Sequence, residues 1–137
     1  MTGISAYRRR ARLAVSVICV ALFAWSAGAS FGKTLHLSAA VGSTIRVYGH
    51  VRLAKNCGPG VPPEMTILAA PTHGSLTTKE EGVTLTAADY GNCAPGHSGP
   101  GLVVYYTANS PGQDRFSYQM SGSGQPVTNW AVTVDVR

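Results

Sequence analysis

An all-β fold of about seven short strands in two packed layers is what this sequence predicts, and three observations carry the prediction. From Lys33 onward apolar residues recur at every second position, and no window of a dozen residues keeps the i, i+3, i+4 stripe of an amphipathic helix. Turn-forming residues punctuate the chain at short intervals, with 16 glycines and 8 prolines among its 137 residues. Two cysteines, Cys57 and Cys93, sit in matching N-C-x-P-G settings that read as turns.

The chain opens in another style. Arg8, Arg9, Arg10 and Arg12 form a basic cluster, residues 13–25 are uncharged and free of Gly and Pro, and Ser26-Ala27-Gly28-Ala29 supplies small residues ending in A-x-A. This is the pattern of a secretory signal peptide. The apolar run is too short for the roughly 20 residues that span a bilayer. The expectation is a signal peptide helix over residues 1–29, cleaved after Ala29, and one domain over residues 30–137. Cys19 lies within the apolar run behind Ser16-Val17-Ile18, which is no lipid-attachment signal. The address is periplasmic or secreted, with no stable membrane span after cleavage.

Removing the leader changes the charge argument. The formal charge of +5 includes four leader arginines, and the remainder carries seven basic and six acidic residues. The basic balance is therefore no case for a nucleic-acid partner, and no Lys/Arg cluster interleaved with aromatics follows Ala29.

The elements follow in order. Leu35 and Leu37 alternate with Thr34, His36 and Ser38 in a first strand. Residues 44–53 give the clearest alternation: Ile45, Val47, Val51 and Leu53 share one face with Gly49, and Arg46, Tyr48, His50 and Arg52 take the other. Gly and Pro interrupt over residues 57–63, then Met65, Ile67 and Ala69 resume until Pro71. A turn at Thr72-His73-Gly74 leads into residues 75–78, and residues 79–82 read as a hairpin connection to 83–86. Residues 87–101 read as a long loop carrying Cys93 and His97. Residues 102–107 form a buried strand, residues 115–120 another with Phe116, Tyr118 and Met120 on one side, and Trp130, Val132, Val134 and Val136 face the core in the last. Strands of this number and spacing make an immunoglobulin-like β-sandwich.

Several spaced elements carry a family resemblance: Pro71-Thr72-His73-Gly74-Ser75-Leu76, Val104-Tyr105-Tyr106-Thr107, Gly112-Gln113-Asp114-Arg115-Phe116-Ser117-Tyr118 and the alternating C-terminal strand. Their succession over residues 64–137 resembles the bacterial immunoglobulin-like or cadherin-like domains of cell-envelope proteins, although Ala108 stands where that family has a proline. The resemblance implies the sandwich, Phe116 and Tyr118 in its core, and Asp114 fixing the turn before its strand.

An even pair of cysteines in an exported chain predicts a Cys57–Cys93 disulfide, and neither residue has the C-x-x-C spacing of a redox or metal site. The candidate binding face is Arg46, Tyr48, His50 and Arg52, followed by Lys55. Cations and aromatics on one face can pair with and stack on an acidic glycan or an envelope protein, and basic residues on an edge strand also serve simply to block sheet-to-sheet association. His36, His50, His73 and His97 are isolated along the chain, and Asp89, Asp114 and Asp135 form no D-x-D-x-D-G loop, so no metal set is assigned. His73, followed by Gly74-Ser75, is the residue a hydrolase would use, but no G-x-S-x-G elbow accompanies it. The reading is an exported, non-catalytic binding or structural module without a cofactor. A small periplasmic metal-binding protein and a hydrolase using His73 are the alternatives.

Overall fold

The computed structural model describes residues 32–86, 93–122 and 126–137. The signal peptide expected over residues 1–29, together with Asp89 and Asn92, lies outside them. The described residues form seven strands: β1 (Lys33–Ala39), β2 (Thr44–Val51), β3 (Glu64–Ala69), β4 (Gly74–Thr84), β5 (Ser98–Ala108), β6 (Gly112–Ser121) and β7 (Thr128–Val136). They form two sheets, ordered β1-β7-β6-β3 and β2-β5-β4. All pairings are antiparallel except that of β1 with β7. Successive strands repeatedly cross between the sheets, giving the immunoglobulin-like sandwich that the period-two pattern predicts.

The core lies where the inward residues of β5, β6 and β7 meet. Val104 and Tyr106 face Phe116, Tyr118, Met120, Trp130, Val132 and Val134, all at most 4% exposed. In β6 and β7 the alternation buries one face and leaves Arg115, Thr133 and Asp135 outside. Tyr106 and Phe116 stack between the sheets, ring centroids 5.5 Å apart.

Two expectations change. Residues 79–82 are no hairpin connection, because β4 runs unbroken and pairs with β5 from Gly74↔Ala108 to Thr84↔Ser98. Lys79, Glu80 and Glu81 are exposed on an edge strand, where charge is compatible with pairing. For the same reason residues 98–101, expected in the loop, are strand. Their glycines fit a crowded surface: a Cβ at Gly99 would come within 2.9 Å of Leu53, and one at Gly101 would press on Val83.

At Gly101 the crowding comes from the flanking strands β2 and β4, and at Gly99 it comes also from Leu53 and Pro59, beyond the end of β2. Residues 54–58 turn back through Cys57 N–H to Ala54 O (2.8 Å) and Ala54 N–H to Gly58 O (3.0 Å), with Cys57 in the left-handed region at φ 62°. Cys57 is joined to Cys93 with Cα atoms 5.6 Å apart, the separation ordinary disulfides show. Such a bond belongs to an oxidising compartment. Reduction, or Cys57→Ala, is expected to lower the unfolding free energy by about 2–4 kcal/mol while keeping the β-rich circular dichroism, as urea titrations of both forms will measure.

Candidate functional site

The predicted face of Arg46, Tyr48, His50 and Arg52 is not one face. β2 pairs Arg46 with Tyr105 but Tyr48 with Val104, so Val47 is an extra residue, a β-bulge. A one-residue shift reverses every side chain beyond it. Arg46 stays outside, while Tyr48 and His50 turn into the sandwich in place of Gly49 and Val51. His50 is 8% exposed and shares a 3.0 Å hydrogen bond between Nε2 and Tyr118 Oη. Tyr48 lies 4.5 Å from the Trp130 ring and His50 4.8 Å, with the Lys33 ammonium 5.1 Å above the same indole. Burial raises the Tyr118 pKa well above the ordinary phenol value, with the Tyr48 hydroxyl adding to it. Arg52 lies past the end of β2, where its guanidinium donates to Pro126 O at 3.5 Å and burial lowers its pKa.

The outer face beside Arg46 has other members. Tyr105, its register partner, is half-exposed, and its hydroxyl donates to both Glu81 oxygens at 2.9 and 3.1 Å. The Lys79 ammonium stands 5.5 Å from the Tyr105 ring centre. The hydrogen bond to Glu81 raises the Tyr105 pKa, as do partial desolvation and the carboxylate charge, against a smaller lowering by Arg46. The Arg46 guanidinium lies on the bare backbone of Gly49, where a Cβ would collide with it. Around it is a shallow concavity of about 160 Å³ lined by Arg46, Gly49, Val83 and Thr84. Sequence alternation placed Arg46 here. Tyr105 could be read only as part of a buried strand, because its exposed partners sit on a neighbouring strand.

His73 occupies the turn between β3 and β4. Its Nδ1 is 3.1 Å from Ser110 Oγ, and its ring fills the space where Gly112, at φ 130°, has no side chain. Its carbonyl accepts from Asn109 and Ser110 N–H at 2.8 and 3.0 Å, and its own N–H donates to Asp114 Oδ2 at 2.8 Å. Among the described residues no carboxylate bonds to the imidazole, and Ser75 points out from β4, so a base-and-nucleophile pair with Ser75 is not assembled there. His36 and His97 are exposed on separate elements, and among the described residues no three His, Cys, Asp or Glu side chains converge on a metal-sized site.

Asp114, expected to fix the turn before its own strand, instead holds the β3–β4 turn. Its fully buried carboxylate accepts Thr72 N–H (2.8 Å), Thr72 Oγ1–H (3.3 Å), His73 N–H (2.8 Å), Tyr106 Oη–H (2.8 Å) and Arg115 N–H (3.0 Å). Desolvation alone would raise its pKa, but the bonds from Thr72, Tyr106, His73 and Arg115 together outweigh it and hold the carboxyl below the usual value. Tyr106 is pushed the other way by burial and by that carboxylate.

Neither a protein-family model nor a curated protein matches this chain. Among solved structures it is similar to the solution structure of amebosin, at 13% identity and a TM-score of 0.42, over 77% of this chain and 100% of that one.

Asp114→Ala leaves the Tyr106 hydroxyl and the Thr72 and His73 amides without their acceptor and is expected to destabilise by about 3 kcal/mol or more; Tyr106→Phe removes one donor and costs about 1.5–3 kcal/mol. Because the folded carboxyl titrates below its unfolded value of about 3.9, its contribution is complete above that pH and is lost as pH falls through the folded pKa. Denaturant unfolding between neutral and acid pH is expected to show this loss in the wild type and not in Asp114→Asn.

Proposed function

We propose that the protein is an exported, non-catalytic binding module of the cell envelope, and that the outer face of the β2-β5-β4 sheet takes an acidic glycan. The observation that carries this reading is the setting of Arg46. Its guanidinium rests on Gly49 beside a shallow concavity, next to the half-exposed Tyr105 ring, and among the described residues it makes no salt bridge. A planar cation beside an aromatic face suits a sugar carboxylate or sulfate, one charge-paired and the ring stacked. Glu81 orients the Tyr105 hydroxyl and Lys79 adds a second cation.

The signal-peptide pattern of residues 1–29 and the Cys57–Cys93 bond support export. The strand order and the motif succession over residues 64–137 support the likeness to bacterial immunoglobulin-like envelope domains.

Titration with uronic-acid and sulfated oligosaccharides, followed by calorimetry, tests the assignment. Saturable binding is expected, weakened about tenfold or more by Arg46→Ala and by Tyr105→Ala, and unchanged by His73→Ala. Absence of acidic-glycan binding, or binding that both face variants retain, overturns it; recovery of an envelope protein through the same face would make a protein the partner instead.

A further inference from the structure

The polar groups on the outer face of the β2-β5-β4 sheet change in kind along the strands. Thr44, Thr107 and Ser75 stand side by side in one cross-strand row, and Arg46 and Tyr105 share the next. Lys79 and Glu81 follow on the same face of β4, beyond Thr77, the register partner of Tyr105. Successive rows along β4 and β5 lie about 6.8 Å apart at the rise of an antiparallel strand.

These rows differ in charge. The first is neutral and bears hydroxyls: Thr44 and Thr107 share a hydrogen bond, Oγ1 to Oγ1 at 2.8 Å, and Thr44 and Ser75 are exposed. A hydroxyl offers one donor and two acceptor sites, so that bond leaves the row able both to donate and to accept, as sugar hydroxyls do. The second row holds the Arg46 guanidinium. Beyond it, the Lys79 charge is offset by Glu81, one row away and within the screening length of about 8 Å at physiological salt. Arg46, Lys79 and Glu81 together leave a net positive charge, and it is centred on the β2 side of the face, at Arg46.

We propose that the glycan of this face is a copolymer in which acidic and neutral sugars alternate. It lies along β5 with an acidic sugar on Arg46 and Tyr105 and a neutral sugar to either side. The proposal rests on the acidic-glycan reading above and narrows it. An acidic sugar over the Thr44, Thr107 and Ser75 row would surrender water around its carboxylate and meet hydroxyls without a cation. One displaced the other way would face the like charge of Glu81, whose carboxylate is tied to the Tyr105 hydroxyl. Neutral sugars incur neither cost, because their hydroxyls pair with the threonine and serine hydroxyls at one end and donate to Glu81 at the other. Specificity then comes from repulsion as much as from attraction. A polymer charged on every residue gains from the acid at Arg46 and is opposed by Glu81 at the next.

Calorimetric titration with two unsulfated oligosaccharides of equal length tests this, one alternating glucuronate with N-acetylglucosamine and the other carrying galacturonate at every position. The alternating oligomer is expected to bind about tenfold or more tightly, against the order that charge density alone would give. Glu81→Gln keeps an acceptor for the Tyr105 hydroxyl and removes the repulsion. It is expected to strengthen the galacturonate oligomer and cut the preference to about threefold or less. Thr44→Ala combined with Ser75→Ala, both exposed sites, is expected to weaken the alternating oligomer severalfold with circular dichroism unchanged. Equal or tighter binding of the galacturonate oligomer that Arg46→Ala still weakens overturns the alternation and leaves the acidic-glycan reading standing, as does a preference that Glu81→Gln does not reduce. Binding of neither oligomer overturns the proposal, and where sulfated oligosaccharides also fail to bind, the reading beneath it falls as well.

Discussion

The Asp114 carboxylate is the constraint on which the rest of the sandwich depends. It is fully buried, and it draws donors from three places that hydrophobic burial alone would not register: the β3–β4 turn at Thr72 and His73, Tyr106 on β5 of the facing sheet, and Arg115 on its own strand. Apolar packing between sheets is non-directional and tolerates sliding. A carboxylate that must keep several short hydrogen bonds does not, because a shift of one residue would strand a buried charge. The Tyr106–Phe116 stack lies on this same connection, so the polar anchor and the aromatic contact fix one relative position of the sheets.

Local departures from regular sheet then decide what reaches the surface. The extra residue at Val47 turns Tyr48 and His50 inward, where they complete a ring cluster with Tyr118 and Trp130 under Lys33. Trp130 Nε1 has no hydrogen-bond partner in this cluster, and the indole is held by its ring contacts. Outside, the same bulge leaves Arg46 over Gly49 and beside Tyr105, with the disulfide-tied loops packed on the glycine-rich end of β5. The polar outer face and the inner aromatic cluster are thus two consequences of one inserted residue.

Much of this was legible in the sequence, for identifiable physical reasons. Period-two alternation located β1, β3 and β7 within a residue or two, placed Trp130 on the core face and set Phe116 and Tyr118 on one side of their strand, because burial of one sheet face writes itself directly into side-chain order; the family resemblance supplied the core placement of Phe116 and Tyr118. The cysteine pair was readable from its matching turns. The bulge was not: Ile45 through Leu53 alternates without a break, and the shift exists only against the spacing of β5. The length of β4 was hidden because charged residues on an edge strand look like a turn. The role of Asp114 was misread as local because its partners at Thr72 and His73 are about forty residues away, a separation that no local pattern encodes.

A carbon-13 titration of the Asp114 side-chain carboxyl tests the central claim most directly, since it reports on that one group in the folded protein. An anchored carboxylate accepting bonds from both sheets is predicted to titrate below the ordinary aspartate value of about 3.9, with the Tyr106 and His73 resonances shifting at the same midpoint. A midpoint at or above the ordinary value, or one to which Tyr106 and His73 are indifferent, would contradict the account.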